Sequence, residues 1–452
     1  MWFTRRALIL TAIGVGIFVY SELFTSLYFM SAIGLSLSLG VAIKFIQDLG
    51  ERIEVRDLIA FMALTQWIIG PVLAYNVLPY DELYYMAVDE ATYMNYVVPA
   101  CAAMLLGLYF PFTDERIIND EDINKIREFV KDKKYLGFLI AGGGLFASWA
   151  GSFLPSALSF LFFLLSGMQF VGVYIILLTD SKLKWPAFAF VMGLVVMQSV
   201  RMGMFGELVL WMLFSLLIIA FVYKIKLWLK LLVIALGLFV VLIIQSTKEE
   251  YRMATWYAVS DKSNVEIYQD VIMQRLTNPA MLFEESVLQN MGARLNQGWI
   301  IARILNHMPE NHEHVKGETI EVGIYAALLP RIIAPDKAMA GGRANFERFT
   351  GTELPETTSM DISLVGEGYA NYGKTGGVIF LLIMGVFYNL MIIATISLAK
   401  KYPTVILWLP ILFFQVIKAE TDFATVLNHF SKAAIVAFGV FWGMVKVLKI
   451  KM

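Results

Sequence analysis

Between residues 246 and 374 the chain collects side chains suited to holding an anion and moving a proton. Arg252, Arg294, Arg303, Arg331 and Arg343 stand there with Lys337, and Arg201 precedes them between two apolar runs. A guanidinium presents a planar fork of donors that matches phosphate oxygens. The segment is not basic as a whole. It carries 12 Lys and Arg against 17 Asp and Glu, a local charge of −5, so a cluster aimed at one anion fits it better than a general pull towards anionic lipid. Arg201, in "MQSVRMGMFGELV", would be costly near a bilayer unless it snorkels or meets an anion. Both readings stay open for it, and any single loop arginine could instead be structural.

Two carboxylates are candidate general bases: Glu318 in "GETI" and Glu367 in "GEGYANYG". Glycine on both sides of Glu367 would let another chain approach closely, or would simply shape the start of the next apolar run. His307, His312 and His314, in "HMPENHEH", have the spacing of loose metal ligands. Neither a cysteine nor a helical His-x-x-x-His accompanies them, so a polar turn is the expectation and no metal site is assigned. The short "GGR" at 341–343 does not make a phosphate loop, and no cofactor motif is present.

The elements that must position these groups are membrane helices. The chain has 452 residues, 58% of them hydrophobic and only 16% charged, with a mean hydropathy of +0.67. That places it in the polytopic membrane class. A net charge of −1 gives no reason to expect nucleic acid, and one cysteine, Cys101, excludes a disulfide framework. Apolar runs fall near 7–21, 23–46, 58–78, 92–112, 135–153, 156–178, 185–200, 207–223, 228–245, 376–399, 403–418 and 432–447. These predict about twelve transmembrane helices in an all-α protein, the first one uncleaved. Basic loops such as "KFIQDLGERIEVRD" alternate with cation-free ones such as "PYDELYYMAVDE". The alternation predicts cytoplasmic termini and an extracytoplasmic 246–374. The expected organisation is therefore membrane helices in 1–245, a large outer loop with short helices over 246–374, and membrane helices again in 375–452. In the loop, the stretch from Thr277 to Pro309 reads as one helix capped by Asn278 and started by Pro279. The outer face of a bacterial-type inner membrane supplies no ATP, so group transfer there needs an activated, membrane-anchored substrate.

At "GETIEVGIYAALLPRIIAPDKAMAGGRANF" and "SLVGEGYANYGKTGGVIFLLIMGVFYNL" the sequence resembles the Wzy-type polysaccharide polymerases of O-antigen and capsule pathways. The matching positions are Gly317, Thr319, Pro330, Arg331, Pro335 and Lys337, then Gly366, Glu367, Tyr369, Asn371, Tyr372 and Gly373, with Ser199 and Arg201 in a weaker third stretch. The resemblance implies a GT-C-like membrane glycosyltransferase in the bacterial inner membrane with its loop in the periplasm. It would move a growing glycan from undecaprenyl pyrophosphate onto a new lipid-linked repeat unit, without an essential metal. Glu367, Glu318 and Arg331 would then be catalytic. Arg201, Arg252, Arg294, Arg303, Lys337 and Arg343 would bind pyrophosphate, and Tyr369, Asn371 and Tyr372 the sugar. Membrane lipid and a chain-length regulator are the other implied partners. An O-antigen or wall-polymer ligase and a transporter of lipid-linked oligosaccharide are the competing readings.

Overall fold

The computed structural model describes residues 14–16, 19, 27–78, 80–112, 118–131, 133–256, 262–328, 342–356, 358–446 and 449. The first expected span, 7–21, lies largely outside them, and so do Arg331 and Lys337. Among the described residues there is no β-strand, only isolated bridges pairing Leu49 with Arg52 and Ile53 with Ile118. Among these residues nine helices are long and apolar enough to cross a membrane, which makes this a multi-pass helical membrane protein.

In chain order, α1 is Phe29–Asp48 and α2 Val55–Leu64, which passes through a π-helical turn, Thr65–Ile69, into α3, Gly70–Asn76. Then come α4 (Glu90–Leu108), α5 (Asp120–Val130), α6 (Lys134–Gly151), α7 (Ser156–Ser166) and α8 (Met168–Leu177). The long helices α9 (Lys184–Met202), α10 (Gly206–Tyr223) and α11 (Leu227–Trp256) follow. The intervening region holds α12 (Asn264–Thr277), α13 (Glu285–Leu295), α14 (Gly298–His307), α15 (Glu318–Leu328) and α16 (Arg343–Thr350). The chain ends with α17 (Ser363–Lys401), α18 (Leu409–Phe413) and α19 (Phe423–Lys446).

Within lipid, helices gain little from hiding apolar surface against each other, so close packing must come from small residues. The α4–α17 pair shows this. A Cβ on Gly385 would lie 2.1 Å from the Met104 carbonyl oxygen, and one on Gly107 2.4 Å from that of Leu382. Between α6 and α8, a Cβ on Gly144 would fall 2.1 Å from the Gln169 nitrogen. Around these contacts sit Trp67, Tyr93, Tyr96, Tyr174 and Tyr388, all buried.

Two stretches depart from the sequence expectation. The run at 403–418 is a 3-10 turn, Pro403–Trp408, joined to the five residues of α18. Pro403 and Pro410 each remove a donor and interrupt a regular helix. The interrupted backbone is tolerated because Thr404 to Phe414 are buried in protein. The single helix expected from Thr277 to Pro309 is three pieces: a 3-10 turn over Pro279–Phe283, then α13, then α14. Asn278 provides no side-chain cap. Glu284 and Asn296 take non-helical backbone angles, and this lets the α13–α14 corner settle on the bundle. There the Gln297 amide donates to the Gln66 carbonyl at 3.1 Å.

Candidate functional site

The glycine-rich stretch around Glu367 is a folded corner. α17 breaks at Gly373, whose φ of 69° and ψ of −167° exclude a side chain. The segment before the break folds back on the one after it. A Cβ on Gly368 would sit 3.3 Å from the Gly377 Cα. Glu367 is 0% exposed. Its Oε1 accepts from the Thr319 hydroxyl at 2.6 Å and its Oε2 from the Phe423 amide at 2.7 Å. Asn371 Nδ2 donates to Thr319 Oγ1 at 2.7 Å and to the Glu367 carbonyl at 2.9 Å, while its Oδ1 accepts from the Gly317 amide. One buried carboxylate thus ties α15, the α17 corner and the start of α19 together. It also shows that the chain from Lys401 to Phe423 returns to the end of the bundle where α17 begins.

This geometry makes Glu367 a positioning residue. Glu367→Ala should destabilise the protein by about 3 kcal/mol, because a hydroxyl and an amide lose their acceptor in a dry site. Thermal unfolding in detergent measures it. An unchanged melt with lost activity would instead mark Glu367 as a group that meets substrate.

At the same end of the bundle, positive charges converge. Gly203, with φ +64°, closes α9, and its carbonyl accepts from Arg252 Nε and Nη2 at 3.0 and 2.8 Å. This brings α11 against the Arg201 turn, and the Tyr251 hydroxyl bonds to the Val200 carbonyl beside it. Lys248 and Arg252, four residues apart, share a face of α11. Arg294, on α13, is near enough to repel both, and Glu420 attracts Lys248. Among the described residues neither Lys248 nor Arg294 is ion-paired with a carboxylate. The neighbouring acids come from "KAETDF", residues 418–423, and from the chain just before α17. Burial, with Asp422 and then Glu420 facing it, pushes the Asp361 carboxyl up to about 7, against hydrogen bonds from the Gly342 amide and the Thr425 hydroxyl. Asp422 itself caps α19 by accepting from the Thr425 amide at 2.8 Å. The 418–422 loop is pinned by Trp67 Nε1, which donates to the Ala419 carbonyl at 3.1 Å, and by the Ser363 amide, which donates to that of Glu420. Lys248 and Arg294 near Glu420, with Asp361 facing Glu420 in turn, make a cluster that can bind a multivalent anion and take up a proton.

The structure therefore divides the residues singled out in the sequence. Arg252 and Arg294 meet, and exposed Arg201 lies on the α9 turn, its carbonyl accepting from Asn264 Nδ2 at 3.3 Å. Arg303 is engaged elsewhere: it donates to the Leu83 carbonyl at 2.6 Å and stacks over Trp299 and Tyr85. Arg343 is held by Glu347 and the Leu354 carbonyl. Glu318 is gripped by both terminal nitrogens of Arg348, at 2.7 and 3.0 Å, which holds it below the usual carboxylate range and makes it a weak base. His312 accepts from Arg348 Nε at 3.1 Å, and the His314 ring packs edge-on against Tyr369. Tyr369 also donates to the Met308 carbonyl at 3.4 Å, and Asn371 is buried in the Glu367 network. Of the three expected sugar-binding residues, only Tyr372 keeps an open face.

Lys248, Asp361, Glu420 and Asp422 were not among the residues expected at a site. Weak signals exist for three of them, the i, i+4 pairing of Lys248 with Arg252 on one helix face and, for Glu420 and Asp422, charges placed between two apolar runs in "KAETDF"; Asp361 has none. Scans against protein-family models, curated proteins and solved structures found no match to the chain.

Proposed function

We propose that this chain is a polysaccharide polymerase. It would transfer a growing glycan from undecaprenyl pyrophosphate onto a new lipid-linked repeat unit at the outer face of a bacterial inner membrane. The observation that carries the reading is that Lys248, Arg252 and Arg294 lie close enough to repel one another, with Glu420 near Lys248 and Asp361 facing Glu420 in turn. An acceptor hydroxyl attacks the anomeric carbon of the donor, and the bond from that carbon to the pyrophosphate oxygen breaks. The electron pair leaves with the pyrophosphate, whose growing charge the three cations stabilise more in the transition state than in the ground state. Asp361 takes the hydroxyl proton. It replaces Glu367 and Glu318 in that role because the first is sealed in the protein and the second is bound by Arg348. Arg201, on the turn whose Gly203 carbonyl Arg252 holds, extends the same anion-binding set in this reading.

The test uses purified full-length protein in lipid nanodiscs with a lipid-linked repeat unit of defined structure. The expected result is a ladder of longer lipid-linked glycans, with one undecaprenyl pyrophosphate released per bond formed. Transfer only to a different acceptor would make the protein a ligase. Movement of the substrate across the bilayer without bond formation would make it a transporter. Either outcome overturns the polymerase reading.

A further inference from the structure

Beside the α17 corner lies an open groove of about 630 Å³ that no step of the proposed reaction uses. Ile320 and Ile324 line its wall, Tyr325 and Tyr372 stand at its sides, and Lys316 and Glu321 add one charge of each sign. Both tyrosines present substantial surface, with Tyr325 55% and Tyr372 41% exposed. The floor is held in place by the same network that holds Glu367. The Lys316 amide donates to the Asn371 carbonyl at 2.9 Å, and the Val315 amide to that of Ala370 at 3.1 Å. Gly317 turns the chain there with φ +100°, and a Cβ on it would lie 2.8 Å from the Tyr372 hydroxyl. The backbone that carries Lys316 and Tyr372 is therefore set before anything binds.

We infer that this groove is a saccharide subsite that holds a pyranose unit of the acceptor glycan, between Tyr325 and Tyr372, with Glu321 and Lys316 on its hydroxyls. The inference rests on the polymerase reading. A pyranose ring has apolar C–H faces and a polar edge. Aromatic rings match the faces, a carboxylate accepts from hydroxyls, and an ammonium donates to them. A mostly apolar concavity with a few fixed polar groups is the usual form of such a site. The lipid chain of a polyprenyl carrier is a poorer occupant, because it would leave Glu321 and Lys316 without a polar partner. The Asn371–Thr319–Glu367 network that braces the groove's floor also anchors the start of α19, so the groove is built on the same end of the bundle as the proposed transfer site.

The probe is the unelongated lipid-linked oligosaccharide that accumulates in cells lacking the gene. With purified full-length protein, Tyr325→Ala should raise KM for this probe roughly tenfold and leave kcat within about twofold, the pattern of a lost ground-state contact. Tyr325→Phe, which keeps the ring face, should stay near the wild-type KM, and Glu321→Gln should raise it. Tyr325 is exposed, so protein levels and melting should not change. Elongation by the wild type with an unchanged KM in both Tyr325→Ala and Glu321→Gln would sink the groove assignment alone. Competition by sugar-free polyprenyl phosphate that Tyr325→Ala abolishes would give the groove to the lipid chain and also overturn it. If cells lacking the gene accumulate no such oligosaccharide and the wild type elongates none, the polymerase reading falls and takes this inference with it.

Discussion

Replacing Lys248 or Arg294 with alanine should lower elongation about a hundredfold or more per folded molecule. Removing one charged donor from a developing anion costs about 3 kcal/mol of transition-state stabilisation. The loss should appear mainly in kcat, because the charge on the leaving pyrophosphate grows as its bond breaks. Arg294→Lys should recover only part of the rate, since it keeps the charge and loses the planar fork. Stability should move the other way. Lys248 and Arg294 repel each other and Arg252, so neutralising one removes a strain from the folded state. A slower enzyme that melts at the same or a higher temperature is therefore the signature of a functional cluster. A snorkelling anchor would behave differently, with lower protein level and a normal rate per molecule. Polymer formed per folded protein, measured beside a detergent melt, separates the two. Near-normal kcat in both alanine variants would remove the anion-binding assignment.

Asp361→Asn should cost between about 10² and 10⁴ in rate, the usual contribution of a positioned general base. The wild-type rate should rise with pH and level off above about 7, where burial and the neighbouring Asp422 and Glu420 place the ionisation of this carboxyl. The sign for stability follows from the same shift. The folded value lies above the ordinary 3.8, so the folded protein holds this proton more tightly than the unfolded chain. The associated stability is complete below the ordinary value and is lost as pH rises through about 7. The asparagine variant lacks that loss. It should melt with the wild type near pH 4 and at a higher temperature near pH 8, an instance of activity kept at the expense of stability. Rate and melting profiles across this window check both halves. A variant that keeps its rate would return the base to another group.

The sequence by itself determined what depends on neighbours along the chain. Apolar runs of about twenty residues cannot leave their backbone polar groups unpaired in lipid, so they become helices wherever they are packed. Loop helices start at local signals for the same reason: at α12, Ser263 and Glu266 exchange hydrogen bonds across one turn. Local pattern also marked Arg252 and Arg294 as chemistry-bearing residues, and "GEGYANYG" as a special backbone. Tertiary structure decided which of these groups are free to act. Arg303 looked like Arg294 in the sequence, yet the carbonyl of Leu83, distant in the chain, engages it. Glu367 looked like an available base, yet two donors from distant elements, Thr319 and Phe423, enclose it. Lys248 and Asp361 gave no comparable signal alone, because their character comes from Arg294, Glu420 and Asp422, which lie tens to more than a hundred residues away in the chain. Charge repulsion and desolvation act over a few ångströms of space, and only the packing of α11, α13, α17 and α19 at one end of the bundle sets those distances.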